Sequence, residues 1–156
     1  MDRIYYLDTY LEDNWIHILS DGGQTLESDL CDRQTTMAGD DRPWIQAQNN
    51  GVVHYLGNSG VSIPACENGQ GRYWYYRSDD GGQQWSQCYA MPGGWSTIAP
   101  ERTGDYVFIA QENQDSATGH VHVRISSDTG LNWGEPINVG PRNGNPPEGY
   151  PLVETN

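Results

Sequence analysis

Four residues with ionisable or hydrogen-bonding side chains precede two similar segments of the chain. They are Asp41, Arg42, Glu148 and Tyr150. Asp41 and Arg42 come directly before the Pro-Trp-Ile-Gln-Ala-Gln segment that begins at Pro43. Glu148 and Tyr150 come before the Pro-Leu-Val-Glu-Thr-Asn segment that begins at Pro151. A guanidinium group binds a carboxylate through two parallel hydrogen bonds. We therefore predict a ligand pocket at these residues, the alternative being solvated loop residues with one surface ion pair.

An eight-residue motif, Ser-x-Asp-x-Gly-x-x-Trp, recurs along the chain. Complete copies span residues 78–85 and 126–133, and a partial copy spans residues 19–26. The defined positions are Ser78, Asp80, Gly82 and Trp85, then Ser126, Asp128, Gly130 and Trp133, and in the partial copy Asp21 and Gly23. The glycine permits the positive φ of a tight turn, the aspartate can accept hydrogen bonds from nearby backbone N–H groups, and the tryptophan can be buried between sheets. The motif predicts a stabilised turn rather than catalytic or calcium-binding carboxylates.

Short runs typical of β-strands surround each motif. Residues 120–125, for example, alternate polar and apolar side chains directly before the last motif. Each of the two complete units contains four such runs, A to D, with the motif between C and D. The segments that begin at Pro43 and Pro151 lie 108 residues apart, which is two units of 54. A four-stranded unit repeated at this spacing is typical of β-propeller blades.

We therefore predict an all-β fold, a β-propeller of four-stranded antiparallel blades in one segment over residues 1–156. It has about three blades, at about 3–34, 42–91 and 95–140, and a terminal A strand at about 150–155. The first blade lacks an A strand, and the terminal strand is expected to complete it. Completion within one molecule gives a three-blade ring, and exchange between two molecules gives a six-blade homo-oligomer. The alternative is a segment of a longer chain.

The complete motifs, together with Asp41-Arg-Pro-Trp44 ahead of an A strand, resemble the Asp-box (BNR-repeat) sialidase-like β-propeller family. In sialidases of that family, three arginines bind the substrate carboxylate, an aspartate is the acid/base, and a Tyr–Glu pair is the nucleophile. Their site lies on the face opposite the Asp-box turns, which here carries the candidate pocket. This chain lacks the family's Arg-Ile-Pro motif, so we assign no catalytic residue. The resemblance implies a non-catalytic propeller that binds a glycan or protein, or serves as a scaffold; the alternative is an exo-sialidase-like glycoside hydrolase or a fragment of one.

The charge of the chain restricts its partners. The formal net charge is −13, and all eight basic residues are arginines. Phosphate backbones and anionic membrane surfaces repel such a protein, so we expect no nucleic-acid partner. No segment has the apolar length of a membrane span. We expect no cofactor and no metal site, with calcium on loop oxygens as the alternative.

The three cysteines are Cys31, Cys66 and Cys88. Within the predicted blade, the Cys66 loop and the strand of Cys88 meet at the same face, which favours a Cys66–Cys88 disulfide and leaves Cys31 unpaired. Disulfides persist in oxidising compartments. We therefore expect an extracellular or cell-surface location.

Overall fold

The computed structural model describes residues 3–10, 13–31, 41–58, 73–86, 88–91, 94, 96–113 and 120–141. These residues form strands and turns, and none of them is helical. No helix in these ranges is therefore long and apolar enough to cross a membrane. The predicted terminal strand at about 150–155 lies outside the described residues.

Eleven strands are described, and each pairs antiparallel with its sequence neighbours inside one of three open sheets. The first sheet contains β1 (Ile4–Tyr10), β2 (Asp13–Ser20) and β3 (Thr25–Cys31). The middle sheet contains β4 (Asp41–Ala47), β5 (Val53–Asn58), β6 (Tyr73–Ser78) and β7 (Tyr89–Met91). The third sheet contains β8 (Ser96–Pro100), β9 (Val107–Asn113), β10 (His120–Ser126) and β11 (Ile137–Pro141). The prediction of an all-β chain with antiparallel three- and four-stranded units is confirmed.

Two strands differ from the predicted bounds. β4 begins at Asp41, so Asp41 and Arg42 belong to a strand and not to a loop. The run at residues 87–89, after the first complete motif, predicts the D strand of that unit, but the strand is found at Tyr89–Met91. Its pairing with β6 extends from Tyr75↔Tyr89 to Tyr73↔Met91.

The middle sheet is buried on both faces, because successive side chains of a strand point to opposite sides. Trp74 and Tyr76 of β6 pack with Ile16 and Ile18 of the first sheet. Tyr73 and Tyr75, which alternate with them, pack on the other side with residues of the third sheet: Ile98, Val107 and Ile109. The core therefore consists of two layers, one on each side of the middle sheet.

The sheets approach each other mainly along their first strands. β4 lies close to β1 on one side and to β8 on the other, and β5 also approaches β8. Since β4 and β8 are the edge strands of their sheets, the three sheets converge along one side of the molecule. This arrangement brings the β4–β5 and β8–β9 turns together.

Both complete motifs form a turn closed by the same side-chain hydrogen bonds. Ser78 Oγ accepts a bond from Gly82 N (2.8 Å) and donates one to Asp80 Oδ1 (2.8 Å), which also accepts bonds from the backbone N–H groups of Gln83 and Gln84. Ser126 makes equivalent contacts with Gly130 N (2.8 Å) and Asp128 Oδ1 (2.7 Å). Gly82 and Gly130 have φ of +90° and +85°, a region where a side chain would be strained. These turns are thus held by their own residues.

The hydrogen bonds stabilise the ionised aspartates. Partial burial raises the pKa of Asp80, but bonds from Gln84 N, Ser78 Oγ and Gln83 N outweigh it, and the net pKa is lowered. Bonds from the side chain and backbone of Asn132 lower the pKa of Asp128. Both aspartates therefore act as acceptors of the turn at neutral pH.

The partial motif closes its turn differently. Leu19 stands where the other motifs have serine, and the backbone oxygen of Ser20 accepts bonds from Gly23 N (2.9 Å) and Gln24 N (3.0 Å). Asp21 accepts a bond from Thr25 Oγ1 (3.2 Å) and itself has a positive φ of +52°. A main-chain carbonyl thus replaces the serine hydroxyl.

Candidate functional site

An open groove of about 460 Å³ lies where the three sheets converge. Its walls come from the beginning of β1, the turn between β4 and β5, and the turn between β8 and β9. The side chains that carry charge or hydrogen-bonding groups there are Arg3, Tyr5, Gln48, Asn49 and Arg102. Two of the eight arginines of an acidic chain thus face one groove.

Gln48 fixes the two turns that form the groove. Its Nε2 donates hydrogen bonds to the carbonyl oxygens of Glu101 (2.7 Å) and Gly104 (2.8 Å) in the β8–β9 turn. Asn49 N donates to the carbonyl oxygen of Arg102 over 2.8 Å. Three bonds therefore join the β4–β5 turn to the β8–β9 turn, and the backbone at Arg102 is held in place.

Arg3 is oriented from the opposite wall. Its Nε lies 2.7 Å from Glu27 Oε2, and both side chains are about three-quarters buried. The guanidinium also packs against Gly81 of the first complete motif, where a Cβ atom would clash with it. Tyr5 hydroxyl donates to the carbonyl oxygen of Gly81 over 3.3 Å. The first sheet thereby places Arg3 against the middle sheet, in one wall of the groove.

Arg102 provides a second and more accessible positive charge. It is exposed at the tip of the β8–β9 turn, and no ion pair joins it to an acidic residue in the part of the chain that the structure describes. Arg3 by contrast is partly neutralised by Glu27. An anion entering the groove could therefore pair with Arg102 and accept hydrogen bonds from Arg3.

Gln48 also belongs to a buried series of hydrogen-bonded side chains. Its Oε1 lies 3.1 Å from His54 Nε2, and His54 Nδ1 lies 2.8 Å from the hydroxyl of Tyr75. Burial, and secondarily the charge of Arg77, lower the pKa of His54 from 6.5 to about 3. His54 is therefore neutral at physiological pH and keeps the Gln48 amide oriented towards the groove wall.

The residues predicted as a pocket are not brought together within the described part of the chain. The backbones of Asp41 and Arg42 form the beginning of β4, and their side chains are outside the described residues, as are Glu148 and Tyr150. The groove lies at the other end of β4, beside Ala47. About five residues of extended strand, roughly 17 Å, separate Arg42 from that end. The predicted pocket stays a prediction, at the opposite end of the strand from the groove.

Cys88 is buried and disulfide-bonded. The side chains of Cys31 and Cys66 are outside the described residues, so the predicted choice of Cys66 as its partner stays a prediction. In the described ranges no group of three or more His, Cys, Asp or Glu side chains is arranged to hold a metal ion. The calcium alternative concerned loops that lie largely outside these ranges.

Arg3 and Arg102 were not among the predicted site residues. They are about one hundred positions apart, and neither belongs to a motif. The local signal for Arg102 is its place in the turn between the first two strands of its sheet, the place that Gln48 and Asn49 have in the middle sheet. Its partnership with Arg3 depends on how three sheets converge, which no spacing in the sequence reveals.

No protein-family model matches the chain, and none of the curated proteins searched is significantly similar to it in sequence. Its function is therefore inferred from its own residues and geometry.

Proposed function

We propose that this chain is an Asp-box β-propeller module, similar to those of the sialidase-like family, that binds a carboxylate-bearing glycan without cleaving it. The ligand carboxylate would lie between Arg3 and Arg102. The proposal rests mainly on one observation, the presence of two arginines from different sheets at one groove of an acidic protein.

The blade assignment is supported by the strand order. Two four-stranded antiparallel meanders follow one another, and each carries the Asp-box in the turn between its third and fourth strands. Their first strands are the ones that converge. Both properties are typical of propeller blades arranged around a central axis.

The chemistry of the groove favours binding of an anion over hydrolysis. Its described polar side chains are guanidinium groups, amides and a phenol, which are mainly hydrogen-bond donors to a carboxylate. The sialidases that the chain resembles need an aspartate acid/base and a Tyr–Glu pair at the bond they cleave, whereas the described polar side chains of the groove include one tyrosine and no carboxylate. The arginine of a rigid turn can instead form the bidentate pair that specifies a planar carboxylate.

The disulfide at Cys88 supports an extracellular or cell-surface location, because such bonds persist in oxidising compartments. Acidic glycans are displayed there. A ligand of this type is consistent with the net charge of −13 only if recognition is local, through the two arginines.

Isothermal titration calorimetry with sialyllactose and with neutral lactose would test the proposal. We expect binding of sialyllactose alone, weakened by added salt because the contact is charged. Arg102→Gln should lower the affinity at least tenfold, which is about 1.4 kcal/mol. Arg102 is the cleaner position, since Arg3→Gln would also leave Glu27 without its partner.

Arg42→Gln is the matched control, because it removes the same charge at the opposite end of β4. It should leave the affinity unchanged. Loss of binding in Arg42→Gln with full binding in Arg102→Gln would place the ligand at the sequence-predicted pocket and refute the groove. Release of sialic acid by the unmodified protein would support the hydrolase alternative instead.

A further inference from the structure

Corresponding positions in the three sheets can be identified from the strand pairing next to each Asp-box. The motif's first residue pairs with Ile4 in the first sheet, Val53 in the middle sheet and Val107 in the third. Two residues further along the same strands are Tyr6, Tyr55 and Ile109. These two sets therefore mark one face of each sheet, the face that looks towards the preceding sheet.

That face is buried in the middle and third sheets and exposed in the first sheet. Val53, Tyr55, Val107 and Ile109 are completely buried, whereas Ile4 is 47% and Tyr6 56% exposed. The same contrast occurs at the last motif position. Trp85 and Trp133 pack into the two core layers, but Leu26 is 56% exposed. We call the outward side of the first sheet, with Ile4, Tyr6 and Leu26, the leading face.

In the third sheet, the side that faces away from the middle sheet is also incompletely buried. Val121, Val123 and Ile125 of β10 alternate with the residues that face the middle sheet, and they are only half-buried. The corresponding residues of the other two sheets are fully buried against the next sheet. They are Tyr73 and Tyr75 of β6, and Ile16 and Ile18 of β2. Ile137 of β11, which pairs with Val123, is 52% exposed. We call this side the trailing face.

A trailing face packed on a leading face is an interface that the chain already makes twice. The trailing side of the first sheet packs on the leading side of the middle sheet, and the trailing side of the middle sheet packs on the leading side of the third. The exposed leading face and the partly exposed trailing face therefore correspond to the two halves of a third interface of the same kind. One copy of the chain supplies both halves.

We infer that the occupant of these faces is a second copy of this chain, bound so that each trailing face covers the partner's leading face. The sheets converge along their first strands, so neighbouring sheets are inclined to each other. Each added sheet continues this rotation about the side of the molecule where the sheets meet. Two copies related by a two-fold axis then close a six-sheet assembly through two equivalent, head-to-tail contacts. This inference is independent of the glycan ligand.

The physical properties of the faces agree with such an assembly. They are apolar, and burying apolar surface stabilises by about 25 cal/mol per Å². Each copy carries a charge of −13, so repulsion opposes the association. Added salt screens this repulsion while leaving the apolar contact intact, and should therefore strengthen the pair.

Light scattering after size exclusion would measure the mass directly, with and without reductant. We expect twice the chain mass of 17.4 kDa, independent of reductant and favoured by salt. Tyr6→Arg on the leading face or Ile137→Glu on the trailing face should each give monomers, because either change alters both contacts. Both positions are exposed, so the substitutions should spare the fold. Leu131→Lys, at an exposed position of the last Asp-box turn, is the control and should retain the double mass.

Mixing the two variants distinguishes head-to-tail packing from a symmetrical dimer. The unaltered trailing face of Tyr6→Arg can bind the unaltered leading face of Ile137→Glu, so the mixture should regain the double mass. A symmetrical contact between two leading faces would instead be lost in Tyr6→Arg and unaffected by Ile137→Glu. That result, or a wild-type protein that stays monomeric at high concentration and salt, would overturn the inference. Sialyllactose binding by the monomeric variants would leave the proposed function standing in either case.

Discussion

Arg77 of the middle sheet donates a hydrogen bond from Nε to the carbonyl oxygen of Thr129 over 2.7 Å, in the Ser-x-Asp-x-Gly-x-x-Trp turn of the third sheet. Its Nη2 also donates to Thr129 Oγ1 over 3.0 Å. Gly81 is the corresponding residue of the preceding motif, and its carbonyl oxygen accepts a bond from Tyr5 of the first sheet. The turn of each complete motif is therefore held by a side chain of the sheet before it. The turns thus connect neighbouring sheets as well as neighbouring strands.

Replacing Arg77 should loosen the contact between the middle and third sheets. Arg77→Met keeps most of the buried volume but leaves two oxygens of Thr129 without their donor. We expect the free energy of unfolding in urea to fall by about 2 to 3 kcal/mol, because bonds from charged donors are the stronger ones. Asp79→Asn is the control. Asp79 also contacts Arg77, but its side chain is 69% exposed, so the loss should stay under about 1 kcal/mol. An equal loss in both variants would contradict a clamp centred on Thr129.

The serines of the two complete motifs should each stabilise the fold. In Ser78→Ala and Ser126→Ala, the N–H of Gly82 or Gly130 loses its acceptor in a buried turn. We expect each to lower the free energy of unfolding by about 1 to 2 kcal/mol, as for the loss of a capping side chain. Ser127→Ala, at the exposed neighbouring position, should change it by less than about 0.5 kcal/mol. Indistinguishable effects of Ser126→Ala and Ser127→Ala would show that the hydroxyl contacts have no energetic role.

The partner of Cys88 can be identified by peptide mapping under non-reducing conditions. We expect a Cys66–Cys88 peptide and a free thiol at Cys31, as the sequence predicts. Cys88→Ser should lower the free energy of unfolding by about 2 to 4 kcal/mol, since the bond restricts the unfolded chain. Detection of a Cys31–Cys88 peptide instead would link the first and middle sheets and refute the predicted pairing within one sheet.

The strands and turns of this protein could be predicted because their determinants are local. The motif places serine, aspartate and glycine within five residues, and the hydrogen bonds from Ser78 Oγ to Asp80 and from Gly82 N to Ser78 Oγ lie inside that span. The alternation of Tyr73 to Tyr76 likewise assigns each ring to one of two faces from the pleat alone. The bounds of β7 were not predicted, because they depend on its pairing with β6 and not on the short run itself.

The groove could not be predicted, because its geometry arises from contacts between sheets. Gln48 looks like an ordinary turn residue in the sequence, yet its amide joins two turns more than fifty positions apart. Arg3 precedes the first strand, and only the packing of that strand on Gly81 brings it near the turn of Arg102. The exposure of the leading face could not be predicted either. Ile4 and Tyr6 look like ordinary strand residues in the sequence, and only comparison with the corresponding buried residues of the other sheets shows the difference.

Acid should destabilise the protein through His54, whose ring is buried between Gln48 and Tyr75. Gln48 Oε1 can only accept a hydrogen bond, so the ring proton lies on Nε2, and Nδ1 accepts from the Tyr75 hydroxyl. The pKa of His54 is lowered from 6.5 to about 3 in the native state. Between these values the unfolded chain binds a proton that the native chain does not. The stabilising contribution is therefore complete above about pH 6.5 and is lost progressively as the pH falls towards 3.

Urea unfolding measured at several pH values would test this dependence. His54 alone should contribute a slope of up to about 1.4 kcal/mol per pH unit, and His54→Gln should remove it while still offering polar groups to both partners. The pKa values of Asp80 and Asp128 lie below 3.8, so their contribution is lost only at more acidic pH. The range from about pH 6.5 to 4.5 therefore isolates the histidine. His120→Asn, on the half-buried β10, is the control. The pH slope that His54→Gln removes should be the same whether or not the protein also carries His120→Asn. If His54→Gln and the wild type have the same slope in that range, His54 is protonated in the native state and the buried neutral chain from Gln48 to Tyr75 is wrong.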